Sequence, residues 1–191
     1  MLIDIAVFDG MDELDAIGPL EVLRRAAFDV RLAALGAQGS VRCGHGLVLE
    51  ADGELRDDAE VLIFPGGGWN DRAPIGTHAE VESKRWLPVI EKASARGAIL
   101  ASVCTGAMIL ASAGVLRNRR ATTHHGVWHD LETSGAILVQ DRVVDDGNII
   151  TAGGVTSGID LGLWLVERFA NRELATRIAE NLEYQPASRA C

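Results

Sequence analysis

The sequence predicts one α/β domain, a doubly wound and mostly parallel sheet with helices on both faces, of the flavodoxin-like sandwich type. Three observations carry that expectation. Short apolar runs recur without alternation, as strands buried on both faces require. Amphipathic segments of helical length lie between several of them. One of the runs passes straight into a cysteine and then a helical segment, the pattern of a nucleophile elbow.

The strand candidates are Ile3–Phe8, Val30–Leu35, Val61–Phe64, Ala98–Val103 and Asn148–Ala152. The helical segments begin with Gly18 to Ala27. Glu80 to Arg96 follows, with Pro88 kinking or restarting it. Thr105 to Ala113 is closed by Gly114, a C-terminal glycine. Val127 to Thr133, Thr156 to Ala170 and Asn171 to Leu182 complete the set, the last with Asn171 as N-cap. Val41 to Glu50, with Gly44 and Gly46, breaks the rhythm and reads as a small antiparallel excursion. Residues 1–191 are expected to form a single domain.

Composition narrows the function classes. No run of 18 or more apolar residues appears, so no membrane helix is expected. The net charge is −9 and only Arg117 to Arg120 is locally basic, which disfavours a nucleic-acid partner. The N-terminus has no basic n-region and reads as a buried strand rather than a signal peptide. Cys43, Cys104 and Cys191 form neither a disulfide framework nor a CxxC pattern, which points to a reducing cytoplasm.

The chemistry concentrates at Cys104. Ser102 and Gly106 are its small flanking residues, as a cramped strand-to-helix turn needs. A thiol at a helix N-terminus is expected to have a lowered pKa. The N–H of Thr105 is placed to face an oxyanion. Cys43 and Cys191 lack this setting and read as structural.

Phe64-Pro65-Gly66-Gly67-Gly68 ends a strand, and its backbone N–H groups, at Gly66 and Gly67, are oxyanion or substrate donors. Ala152-Gly153-Gly154-Val155 repeats the form, as a binding site or as plain packing. Trp69 and Val155 suggest an apolar lining. Asp15 lies between Leu14 and Ala16 in the first βα loop, either as an N-cap or pointing inward toward the thiol. His124 and His125 look like a strand end, where adjacent residues face opposite ways and form no joint metal site. No HExxH or comparable ligand pattern exists, so no metal is expected.

Taken in order, the first acid loop, Phe64-Pro65-Gly66-Gly67, Ser102-Val103-Cys104-Thr105-Gly106-Ala107, Ala121-Thr122-Thr123-His124 and Thr151-Ala152-Gly153-Gly154-Val155-Thr156-Ser157-Gly158-Ile159-Asp160 resemble the ThiJ/PfpI superfamily. The resemblance spans about Ile3 to Leu182. PfpI-type members carry histidine after the cysteine, where this chain has Thr105. The parkinsonism-associated deglycase branch uses glutamate in the first loop. Asp15 ahead of Gly18-Pro19, with Thr105, is instead similar to the isocyanide hydratase branch. That resemblance implies a lyase turning an isocyanide into an N-substituted formamide, with catalytic Cys104, Asp15 and Thr105. Gly66, Gly67, His124, Gly153 and Val155 would bind substrate. No cofactor is implied, and a homodimer is. The alternatives are a glyoxalase or deglycase acting on reactive aldehydes, and a non-catalytic redox or ligand sensor.

Overall fold

Five of the six residues of β1 (Leu2–Val7) are buried, and the strand lies inside the main sheet with a parallel neighbour on each side. The computed structural model describes residues 1–36 and 39–186, so Cys191 lies outside the described residues. Helix α1 (Glu13–Arg25) leads to β2 (Asp29–Ala34), the hairpin strands β3 (Ser40–Arg42) and β4 (Val48–Glu50), and the short β5 (Gly53–Glu54). Then come β6 (Val61–Phe64), α2 (Thr77–Ser83), α3 (Leu87–Ala95) and β7 (Ile99–Val103). A single 3-10 turn, Cys104–Gly106, opens α4 (Ala107–Ser112). After β8 (Arg120–Ala121) come α5 (Trp128–Thr133), β9 (Ile137–Leu138), β10 (Val143–Asp145), β11 (Ile149–Ala152), α6 (Ser157–Phe169) and α7 (Arg172–Asn181).

The main sheet has the order β10-β11-β7-β6-β1-β2-β5. All its neighbours are parallel except β10 against β11. Helices α1, α6 and α7 pack together, and α2, α4 and α5 pack together, as a doubly wound sheet requires. The hairpin β3–β4 is the antiparallel excursion expected for Val41 to Glu50.

The chain leaves β1 for β2 on one side and returns to β6 on the other. The crevice at such a reversal, outside the carboxyl ends of the strands, is where open α/β sheets bind ligands. The loops after β1 and β6 flank it, and β7 lies next to β6.

Two helix boundaries depart from the sequence expectation. Helix α1 starts at Glu13 rather than Gly18, because Asp12 is its N-cap and accepts from Leu14 N at 3.0 Å. Pro19 therefore sits inside the helix. The segment Glu80 to Arg96 is two helices, parted at Lys84, whose φ of 57° is left-handed. Pro88 lies in the first turn of the second, so it restarts rather than kinks.

Helices α1 and α6 approach closely through glycines. A Cβ on Gly162 would stand 2.8 Å from Val22 Cβ, and one on Gly158 would stand 3.0 Å from Pro19 Cδ. Gly158 is thus a packing glycine.

Candidate active site

Cys104 has φ 54°, a left-handed conformation costing a non-glycine residue about 1–2 kcal/mol. Its surroundings over-determine that conformation. The Cys104 N–H donates to Gly153 O at 2.7 Å, and Thr123 Oγ1 donates to Cys104 O at 2.8 Å. A Cβ on Gly106 would lie 2.1 Å from Phe64 O, so only glycine fits against β6. Ser102 is buried too, with no hydrogen-bond partner for its hydroxyl among the described residues. The elbow expected from the small flanking residues is the one observed.

Asp15 is fully buried in the first turn of α1. It points inward and is not the N-cap; Asp12 has that part. Its Oδ2 accepts from Gly66 N at 2.8 Å, while Oδ1 has no partner that meets hydrogen-bond geometry. The Cys104 thiol interacts with this carboxyl. Burial pushes the Asp15 carboxyl well above the ordinary carboxylate range, and the Asp12 charge adds to that.

Cys104 differs from expectation. Burial raises the thiol pKa, and the charge of Asp15 raises it further; the Thr105 N–H and hydroxyl pull it down. The reason is local. The turn and helix after Cys104 span only three and six residues, and the thiol is 5% exposed, so lost hydration outweighs a short helix dipole. Two mutually repelling acids here both hold protons more tightly than they would in water.

Thr105 is held on two sides. Its Oγ1 accepts from Gly67 N at 2.9 Å and donates to Thr77 Oγ1 at 3.3 Å. The N–H groups of Gly66 and Gly67, expected to face substrate, are thus both engaged within the chain. They position Asp15 and Thr105. A Cβ on Gly66 would fall 2.5 Å from Thr105 N, which explains that glycine by close approach. Thr77 and Thr123, which buttress the elbow, were not singled out as site residues. The Thr-Thr pair before His124 was the signal for Thr123; Thr77 offered none.

Gly153 serves through its carbonyl, which anchors the Cys104 N–H. Val155 begins the turn into α6, its carbonyl accepting from Gly158 N at 3.3 Å. His124 lies beside this turn, its Cδ2 3.4 Å from where a Cβ on Gly154 would stand. The histidines are not a strand end. His124 caps a 3-10 turn, His125–Val127, its Nδ1 accepting from Gly126 N at 3.1 Å. The two rings therefore lie on the same side, with centroids 4.3 Å apart, instead of on opposite faces. Burial, and then the neighbouring His125, lower the His124 pKa.

One group of possible metal ligands exists among the described residues, and it was not legible as a motif. Asp12, Glu13 and His45 bring ligand atoms within 4.8 Å of one another. His45 Nδ1 stands 3.0 Å from Glu13 Oε2, and its backbone N–H donates to the same oxygen at 3.2 Å. These contacts tie the β3–β4 hairpin to the start of α1.

The chain is similar to known proteins in sequence and in fold. The chain is 36% identical to an isonitrile hydratase of Pseudomonas putida over 189 residues, 97% of this chain and 79% of that one. It is 29% identical to a deglycase of Pyrococcus abyssi over 148 residues, 75% of this chain and 84% of that one. Its fold superposes on a ThiJ/PfpI family protein from Pseudomonas syringae with a TM-score of 0.85 and 30% identity, covering 98% of this chain and 76% of that chain. Residues 1–168 match the model of the DJ-1/PfpI family, and with the buried cysteine elbow in place the chain belongs to that family.

Proposed function

We propose that this protein is a cofactor-independent isocyanide hydratase, converting R–N≡C and water into R–NH–CHO through Cys104. The observation that carries the reading is the buried Asp15 carboxyl beside the thiol, held by Gly66 N–H, with one oxygen left unpartnered. The 36% identity to an isonitrile hydratase across nearly the whole chain supports it.

In the proposed sequence the sulfur attacks the terminal isocyanide carbon and Asp15 delivers a proton to that carbon, giving the thioimidate R–N=CH–S. Water adds to the same carbon, one of its protons moving to nitrogen. The tetrahedral adduct R–NH–CH(OH)–S then collapses, its hydroxyl proton returns to Asp15 and the thiolate leaves. In this order Asp15 is the neutral acid and Cys104 the anion; the Thr105 N–H and hydroxyl favour charge on sulfur, against the burial that raises the thiol pKa. Thr105, Gly66 and Gly67 hold the two reacting groups in register. His124, Gly153 and Val155 form the far rim. The protein is proposed to act as a homodimer in a reducing compartment, where the thiol stays free; a monomeric mass by light scattering would contradict the first part.

The deciding experiment mixes purified protein with an alkyl isocyanide and follows the formamide. Formamide from the native protein and none from Cys104→Ser is expected. No turnover across several isocyanides, with lactate formed from methylglyoxal instead, would replace this reading by a glyoxalase one.

A further inference from the structure

We propose that Thr77 is a positioning residue for the nucleophile, its buried hydroxyl turning the single hydroxyl proton of Thr105 toward the Cys104 sulfur. Thr77 opens α2, and its side chain is wholly buried. Thr105 Oγ1, 3.3 Å away, is the one hydrogen-bond partner of that side chain among the described residues. A valine would fill the same space with no polar group to desolvate, so packing alone gives no reason for the hydroxyl. Gly67 fixes both threonines. Its N–H donates to Thr105 Oγ1 at 2.9 Å, and its carbonyl accepts from Thr77 N at 2.7 Å. One residue of the 67–76 loop thus sets how the two hydroxyls meet.

Proton counting gives the rest. A hydroxyl has one proton and two lone pairs. Thr105 Oγ1 uses one lone pair on the Gly67 N–H. Its proton has two acceptors in reach, Thr77 Oγ1 and the Cys104 sulfur. With a neutral thiol the proton points to Thr77 Oγ1. Once the sulfur is anionic it draws the proton to itself, because a hydrogen bond to an ion is stronger than one between neutral groups. The contact between the threonines then survives only by reversing, with the Thr77 hydroxyl donating to the second lone pair of Thr105. The result is a chain from Thr77 through Thr105 to sulfur in which each bond polarises the next. Acting as acceptor in one state and donor in the other needs a rotatable hydroxyl. The proposal rests on Cys104 being the reactive centre, not on an isocyanide as the substrate.

The test reads the sulfur directly. Alkylation of Cys104 by iodoacetamide is followed from about pH 6 to about pH 10 in native protein, Thr77→Val and Thr77→Ser, each checked for folding by a urea melt. Thr77→Ala stands in should the valine variant fail to fold. Thr77→Val is expected to slow alkylation about three- to tenfold below the thiol midpoint, as loss of one hydrogen bond in the chain to sulfur predicts. Thr77→Ser keeps the hydroxyl and should recover the native rate to within about twofold. The charged groups acting on Cys104 are Asp15 and Asp12, and these substitutions change neither. In a Thr105→Val background, Thr77→Val should alter the rate by no more than about twofold, since the route through Thr105 is already cut. A native-like profile in folded Thr77→Val overturns the proposal. So does a Thr77→Ser as slow as Thr77→Val, or an equal loss in the Thr105→Val background. The expected pattern in alkylation, without turnover of any isocyanide by native protein, upholds Thr77 and sinks the hydratase reading alone.

Discussion

Two thiols in this chain are buried to nearly the same degree, Cys104 at 5% and Cys43 at 3%, yet their settings differ. Cys43 sits where the β3–β4 hairpin meets the first loop. Burial pushes its thiol up to about 11, and Glu13, Asp12 and Asp9 add negative charge without offering a donor. The Cys104 thiol is pushed up further than that of Cys43, by burial first and then by the charge of Asp15, although the Thr105 N–H and hydroxyl pull the other way. Its backbone is strained into the left-handed region, whereas Cys43 is not among the positive-φ residues. Burial alone makes a thiol inert. Donors, strain and a neighbouring carboxyl distinguish Cys104 from Cys43.

The strongest way to break this comparison is to exchange the roles. Cys104→Ala should lower turnover by a factor on the order of 10⁴ or more, since the covalent route is lost. Cys43→Ala should leave kcat within about twofold and cost about 1 kcal/mol of stability. Urea melts alongside kinetics would read both. If Cys43→Ala proved as damaging to kcat, the distinction drawn between the two thiols would fail.

Asp15→Asn comes next. It keeps a side chain of the same shape but removes the transferable proton, so kcat should fall about 10²–10⁴-fold. The iodoacetamide rate of Cys104 should survive, because the Thr105 donors that favour the thiolate are untouched. Intact turnover would show that Asp15 carries no proton. Stability supplies a second readout with a definite sign. Asp15's folded pKa is raised above the ordinary aspartate value of 3.8, so its contribution is fully present below about that pH. It is lost as pH rises toward the folded pKa. Asp15→Asn should therefore melt higher than native protein near pH 8, and the gap should close near pH 3.5.

Gly106→Ala tests the elbow's geometry. The added Cβ would meet Phe64 O at 2.1 Å, so β6 and β7 must part. A loss of about 2–4 kcal/mol is expected, readable as the shift of a urea midpoint. Ser102→Ala should do the least. Its buried hydroxyl has no hydrogen-bond partner among the described residues, so removal should alter stability by under about 0.5 kcal/mol. A larger loss would reveal a bond to Ser102 that the geometry does not show.

The sheet was legible because buried parallel strands write themselves as continuous apolar runs. Val61–Phe64 was found to the residue, and the other four expected strands within two at either end. The short pieces β5, β8, β9 and β10 were not, since two or three residues make no pattern. Asp4 inside β1 shows another blind spot: it is fully buried, and Arg56, 52 residues away, donates to it from Nε at 2.8 Å. Helix α1 starts ahead of the expected Gly18 because its Asp12 cap is hidden among four acids.

The sequence by itself determined the fold class, the parallel core and the cysteine elbow. Each is written locally: apolar runs of strand length, helical spacing between them, and a cysteine flanked by small residues. Only the tertiary structure decided what surrounds that cysteine. Asp15 and Gly66 are 51 residues apart and Thr77 and Thr105 are 28 apart, and only the strand order brings either pair into hydrogen-bond contact. The acidity of the thiol was decided there too. A helix start favours the anion and can be read locally, but the water excluded by packing and the charge of a distant carboxyl cannot.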